Sequence, residues 1–452
     1  MQRLFKFWTR LTSTSVNRKI FGAAITVGAL TAFVKVAAVV KELVVAWRFG
    51  TGDAVDAYLI ALLIPAFIIN VVAGSFNAAL IPTYIQVREK QGIHAAQQLF
   101  SGTMIWSLGL LAITTVLTIA TAPIYLPWIA AGFEPEKLRL TFYLLCAIAP
   151  LILLSSVVTI WGAVLNAGER FALAALAPMA TPLITIVFLF IPSWGIFALA
   201  AGLVAGTAIE IVLLGLALHK NGVSLLPKWY GISSPLRQVA QQFLPAVVGA
   251  FIMCSANLVD QSMAAMLAPG SVAALNYGNR VIAFPITLAT TALSTAVIPY
   301  FSRMVACNDW AGVRHTLKRY MWLIFAVSLP LTGLLLLGSE LIVQLLFQRG
   351  SFTTEDTQIV AQIQSLYALQ IPFYIADIFV VKLITAMRLN QILMWVSVFN
   401  LLINIVLNYL FMQWIGVSGI ALSTSCVYLF SFVYLIFFAN KNLKILDRKS
   451  VV

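Results

Sequence analysis

Charge is what this sequence has least of. Asp, Glu, Lys and Arg make up 10% of its 452 residues, where soluble domains carry roughly 25%, so a globule with a fully solvated surface is excluded. Acids are scarcer than bases, 15 against 28. There are three histidines, His94, His219 and His315, all in polar breaks. That excludes a histidine metal centre in the interior and leaves no Ser/His/Asp or Cys/His set to assemble. The four cysteines, Cys146, Cys254, Cys307 and Cys426, are scattered and read as small apolar residues, not as a disulfide or metal framework. No glycine-rich phosphate loop is present, so no nucleotide site of that kind is expected. The chain therefore reads as no enzyme and as needing no cofactor. Any work it does is driven by gradients of Na+ or protons, or by the membrane potential, worth about 2.3 kcal/mol per charge per 100 mV.

Apolar sequence is what it has in excess: 61% hydrophobic residues and a mean hydropathy of +0.97. A bilayer span takes about 20 apolar residues, and in lipid only helices and closed barrels satisfy their backbone. The runs are too long and continuous for barrel strands, so the fold class is an all-α polytopic membrane protein. Hydropathy predicts twelve spans, at 20–47, 55–86, 97–127, 139–165, 171–192, 195–219, 238–265, 271–301, 318–346, 359–384, 390–412 and 416–440. The first run follows a basic stretch (Arg3, Lys6, Arg10, Arg18, Lys19) and is too long for a cleavable signal. It is read as a retained span. With both termini in the cytoplasm, 20 of the 28 basic residues fall in inside segments, 4 outside and 4 within spans. The positive-inside rule requires such a contrast, which an odd number of spans would destroy. The expected location is a bacterial inner membrane. The net charge of +13 is then explained by topology and anionic membrane lipids, and nucleic acid is not expected as a partner.

The halves echo one another. Span two reads Gly52…Tyr58…Pro65…Ala79-Leu80-Ile81-Pro82, and span eight reads Gly270…Tyr277…Pro285…Ala296-Val297-Ile298-Pro299. Chance likeness of apolar helices is the competing reading. A duplication gives an N-terminal lobe at 1–220, a cytoplasmic linker at 221–237 and a C-terminal lobe at 238–452. Such duplicated folds typify transporters. Two six-helix lobes related by a pseudo-twofold along the membrane normal would rock about a central cavity.

A charge at mid-bilayer costs about 2.5–3.5 kcal/mol on insertion scales and therefore tends to face a cavity or a partner. Lys35 lies about 22 Å into span one at 1.5 Å per residue, and Arg280 is near the middle of span eight. These two are the leading anion-binding candidates. Lys41 and Glu42 read equally well as cavity residues or as an interfacial pair. Among the acids, Glu210 reads first as half of a structural pair, whereas Asp260 and Asp377 are open to substrate contact, ion binding or pairing. Lys382 reads as snorkelling. Fixed cations would offset the desolvation of a pyrophosphate, and arginine can engage its oxygens bidentately. Asn70, Asn257, Gln261, Asn276 and Asn279 could meet sugar hydroxyls, although asparagine also glues helices together.

Several stretches resemble one family. They are Arg48-Phe-Gly50 followed by Asp56-Ala-Tyr58 and Pro65; Leu165-Asn-Ala-Gly-Glu-Arg170-Phe171 followed by Ala177-Pro178; Tyr277-Gly-Asn-Arg280 followed by Pro285; and, most specific, Leu346-Phe-Gln-Arg-Gly350-Ser-Phe-Thr-Thr-Glu355-Asp-Thr357. All are similar to the MurJ/MviN lipid II flippases of the multidrug/oligosaccharidyl-lipid/polysaccharide (MOP) exporter superfamily, along nearly the whole chain. The resemblance implies two six-helix lobes around a cationic cavity, moving by alternating access. It places Lys35, Lys41 and Arg280 where the family has cavity arginines, and Asp56 at a family aspartate. In some relatives span eleven helps bind sodium, and Asn400 and Asn404, with Asp377, are the candidates here. The chain also departs from the pattern. An Arg pair after the span-two proline is replaced by Ile69 and Asn70, a glutamate after the span-eight arginine is Ala283, and the family's two further C-terminal helices have no counterpart.

The expected activity is flipping of an undecaprenyl-pyrophosphate-linked glycan from the inner to the outer leaflet, with glycan-assembly enzymes of the same pathway as candidate partners. The signatures favour lipid II as cargo. The reduced charge and missing helices tilt the expectation towards a surface-polysaccharide, exopolysaccharide or O-antigen unit. A cation-coupled drug antiporter of the same superfamily would want an acidic cavity, against Lys35 and Arg280. A membrane glycan polymerase or ligase would want a large outer loop. The candidate substrate-binding set is Lys35, Lys41, Asp56, Asn70, Asp260 and Arg280.

Overall fold

The computed structural model describes residues 16–168, 171–220, 222–223 and 225–450. The basic residues Arg3, Lys6 and Arg10, and Glu169-Arg170 of the Leu165–Phe171 motif, lie outside them. Among the described residues the regular structure is entirely helical. Ten helices are long and apolar enough to cross a membrane: α2 (Asp53–Gln91), α3 (Ile93–Ile129), α4 (Pro135–Ala167), α5 (Ala172–Leu189), α6 (Phe197–Lys220), α7 (Ser234–Ala264), α9 (Trp310–Leu337), α10 (Thr354–Ala386), α11 (Asn390–Ile415) and α12, apolar over Val417–Leu443 and helical to Ser450. The first and eighth predicted spans are the helices α1 (Val16–Phe49) and α8 (Ser271–Ala306). The protein is thus an all-α polytopic membrane protein of about twelve spanning helices.

Helix ends depart from the hydropathy where polar caps set them. Span nine was expected at 318–346. Its helix begins at Trp310, because the Asp309 side chain accepts from the Gly312 amide at 2.8 Å, and it stops at Gly338, after which Ser339–Phe347 form a separate short helix. Likewise α10 starts at Thr354, where Thr353 and Asp356 make a reciprocal capping box. Such caps satisfy amides that the first helical turn leaves unpaired, and they extend a helix beyond its apolar run. In α2 the turn Ile69–Ala73 is π-helical, just after Pro65.

The chain forms two compact units. The first takes 1–45, 61–126 and 138–251, and the second takes 46–60, 127–137 and 252–452. The core of the first holds Leu80, Tyr84, Phe100, Ile160, Trp161 and Leu218, all under 9% exposed. Helices α5 and α6 cross closely in it. A Cβ on Gly202 would stand 2.6 Å from Thr185 Cα, and one on Gly206 would stand 2.5 Å from Thr181 Cα. Glycines four residues apart allow such backbone approach where lipid offers no hydrophobic drive for helix association. In the second unit α8 packs on α10, and both α10 and α11 pack on α12. Phe301, Ile363, Phe379 and Leu383 are fully buried there.

Candidate functional site

The second unit contains a seal in which side chains of one segment bond main-chain groups of another. Helix α8 begins after Gly270, whose φ of +86° is a left-handed conformation suited to glycine, and no side chain of its own caps it. The cap comes from the first turn of α2: Asp56 Oδ2 accepts from the Gly270 amide at 2.7 Å and Oδ1 from the Ala273 amide at 2.8 Å. A carboxylate at a helix N-terminus also complements the helix dipole. Lys137 Nζ donates to Asp56 at 2.9 Å, also bonds Asp53, and sits 4.0 Å above the Phe133 ring. Asp56 is 1% exposed, so its oxygens are spent on the seal and present no open face to a headgroup.

Around this pair the segment 47–52 is stitched to the rest of the unit. Tyr277 Oη donates to the Gly50 carbonyl at 3.2 Å, the Ser351 amide to the Trp47 carbonyl at 2.8 Å, and Ser351 Oγ to the Arg48 carbonyl at 3.0 Å. Thr51 Oγ1 donates to Asp356. Gly350, at φ +60°, lies so close to Trp47 that a Cβ would collide with its carbonyl. Two motifs that carried the family resemblance, Arg48-Phe-Gly50 and Gly350-Ser-Phe, therefore meet each other.

A second cluster lies inside the same unit. Asp260 Oδ1 on α7 accepts from Asn404 Nδ2 at 3.1 Å and Asn408 Nδ2 at 2.6 Å, both on α11. Asn408 is fully buried and its Oδ1 has no partner, a rarity in folded proteins. Asp377 on α10 accepts from Ser431 Oγ at 2.7 Å, which accepts from Asn400 Nδ2 at 2.9 Å. The rings of Tyr374 and Tyr428 meet at 4.6 Å between centroids, and Tyr428 interacts with both acids. Among the described residues no Lys or Arg lies within ion-pair distance of Asp260 or Asp377. As placed, both amides present nitrogen to Asp260; an amide flip exchanges O for N without other rearrangement and would turn oxygens towards it.

Of the other candidates, Lys35 is exposed on α1, Lys41 pairs with Glu42 at 2.9 Å, and Asn70 Nδ2 donates to the Ala66 carbonyl at 2.9 Å beside the π-helical turn. These belong to the first unit. In the second, Arg280 and Asn279 are exposed, while Gln261 and Asn276 bond each other at 2.8 Å. The structural pair expected for Glu210 is not found among the described residues: it is 6% exposed with no cation in ion-pair reach, because α6 packs on α5 and on the second part of α4, neither of which carries a Lys or Arg. Sequence reasoning missed Lys137, Ser431 and Asn408. The last was detectable, since Asn400, Asn404 and Asn408 recur at one-turn spacing on one helix face.

About twelve spanning helices make this a polytopic membrane protein with the fold of the MOP exporters. A solved structure described as an inward-facing multidrug resistance MATE family transporter of the MOP superfamily superposes with a TM-score of 0.79 at 13% identity, covering 94% of this chain and 99% of that one. One described as lipid II flippase MurJ, inward closed conformation, superposes at 0.80 with 22% identity, covering 94% and 91%. At those identities the likeness speaks for the fold. The family follows from sequence: the model for "Lipid II flippase MurJ" matches residues 45–452, and the chain belongs to that family. Relatives described as probable lipid II flippase MurJ include one from Synechocystis sp., 27% identical over 94% of this chain and 83% of its own, and one from Helicobacter pylori strain J99, 28% identical over 85% and 87%.

Proposed function

We propose that this protein flips lipid II, a polyprenyl-pyrophosphate-linked glycan, from the inner to the outer leaflet of the bacterial inner membrane by alternating access, with both termini in the cytoplasm. The observation that carries the reading is the family match over 45–452. It also turns the cargo. The weight given to a surface-polysaccharide unit rested on absent charges and helices, whereas the matching family model and the relatives are named for lipid II. In this reading Lys35 and Arg280 offset the desolvation of the pyrophosphate, Lys41 and Asn70 line the route, and the seal around Asp56 opens to release cargo outward. Return is driven by a small cation, Na+ in the first instance, held by Asp260 with Asn404 and Asn408; the Asp377, Ser431 and Asn400 chain adjusts beside it.

The test is complementation. A bacterial host depleted of its resident lipid II flippase is given this chain, and viability is followed together with lipid II accumulation. Rescue with cleared lipid II is expected. Death with lipid II accumulating, while the protein is inserted at matched level, would sink the lipid II reading.

A further inference from the structure

The second unit holds a cavity that the seal and the carboxylate cluster do not use. It measures about 200 Å³ and is lined by Tyr300, Phe301 and Met304 of α8, Thr316 and Tyr320 of α9, and Phe379 of α10. Phe379 meets Phe301 at 5.2 Å between centroids and stacks on Tyr320 at 5.6 Å. Thr316 Oγ1 turns to Met304 Sδ at 3.8 Å, so the polar content of the wall is low. Pockets for drug-sized ligands run to about 300–1,000 Å³. A smaller, aromatic hole suits a stretch of hydrocarbon chain and not a sugar.

Its surroundings are cationic. Arg303 is one turn along α8 from Tyr300, Arg319 is one turn along α9 from Thr316, and Lys382 is one turn along α10 from Phe379; residues three or four apart are neighbours on a helix surface. Arg303 and Arg319 are exposed and Lys382 is half-buried. Among the described residues none of the three has a carboxylate in ion-pair reach. Asp309, the nearest acid in sequence to Arg303, is committed to capping α9. An apolar hole with three basic residues along its helices, none with a carboxylate in ion-pair reach among the described residues, at the helix ends that the positive-inside rule assigns to the cytoplasm, complements a molecule with one anionic end and one hydrocarbon end.

We propose that this cavity binds an anionic phospholipid of the cytoplasmic leaflet, one acyl chain lying against the aromatic wall while the phosphate is held by Arg303, Arg319 and Lys382. The arginines can engage phosphate oxygens bidentately and the lysine acts as a point charge. The bound lipid ties the inner ends of α8, α9 and α10 together, and α8 is the helix that carries Arg280. The inference rests on the cytoplasmic placement of these ends. The assay below is blind to orientation, and labelling at Cys307 reads orientation separately, so the two failures are distinguishable.

The full chain in detergent is offered equimolar dioleoyl phosphatidylglycerol and dioleoyl phosphatidylcholine, and retained lipid is read by native mass spectrometry. Phosphatidylglycerol is expected to be retained over phosphatidylcholine. The triple variant Arg303→Gln, Arg319→Gln, Lys382→Gln should cut that preference at least about tenfold, since each basic group near a phosphate surface contributes on the order of 1 kcal/mol. Thr316→Trp, which fills the cavity and leaves the cations, should lower retention of both lipids, and inorganic phosphate at the lipid's concentration should displace neither. Equal retention of the two lipids by the unaltered chain, an unchanged preference in the triple variant, unchanged retention in Thr316→Trp, or displacement by inorganic phosphate would each overturn the proposal.

Discussion

Asp56 and Lys137 are 81 residues apart in the sequence and 2.9 Å apart in the structure. The aspartate spends its remaining capacity on the start of α8, so one carboxylate joins the beginnings of α2, α4 and α8. Removing one partner of a buried ion pair costs about 3–5 kcal/mol. Lys137 keeps Asp53, whose side chain is 59% exposed, so the cost here falls at the low end. Asp56→Asn should speed hydrogen exchange of the Gly270–Ala274 amides, and Asp53→Asn should do so far less. Combining Asp56→Asn with Lys137→Met should cost less than the two single changes added together, as contacting residues are not additive. Equal protection in Asp56→Asn and the unaltered chain would remove Asp56 from the seal.

Arg280→Ala should abolish export at matched insertion, because a cation needed to hold a desolvated phosphate cannot be replaced by a methyl group. Arg280→Lys separates two contributions: partial activity means that point charge suffices, and near-inactivity means that the planar fork is required. Lipid II accumulation in the complemented strain is the readout, and normal export by Arg280→Ala would end the cationic-route mechanism.

Sodium should raise the melting temperature of the detergent-solubilised protein, since a ligand that binds only the folded state stabilises it by about 2.7 kcal/mol at a hundred times its dissociation constant. Asp260→Asn and Asn404→Leu should remove that dependence, Asp377→Asn should leave much of it, and Asn408→Asp should strengthen it by adding a second carboxylate. If melting of the unaltered chain is indifferent to sodium, the driving ion is not sodium.

Cys307 is exposed at the break between α8 and α9, while the other three cysteines are half-buried. In right-side-out vesicles a membrane-impermeant maleimide should leave it unlabelled, and in inverted vesicles it should label it. The reverse pattern would invert the topology, and with it the direction of transport.

Much of the fold was legible because lipid is a demanding solvent. Twelve runs had to be helices, and the described helices hold them. The helix starts at Trp310 and Thr354 were not legible from hydropathy, because Asp309 and the Thr353–Asp356 box act through single hydrogen bonds. Of the site, the acids and cations within the spans could be named from their cost in a membrane, but not their partners. Asp260 lies 144 residues from Asn404, and no local pattern encodes that pairing. Asp56 could be matched to a family position, yet its attachment to the amides of Gly270 and Ala273 appears only in three dimensions, since an amide carries no sequence signal.

That last point bears on how the closure can change over time. Where Gly350 faces the Trp47 carbonyl and Gly270 the Thr51 carbonyl, what touches is peptide group. Mutation exchanges side chains and leaves the peptide groups in place. The two glycines, for their part, cannot acquire a Cβ. A compound that wedges the closure by mimicking its amides and carbonyls would meet a target with few routes to resistance, and those routes run through residues the seal itself requires.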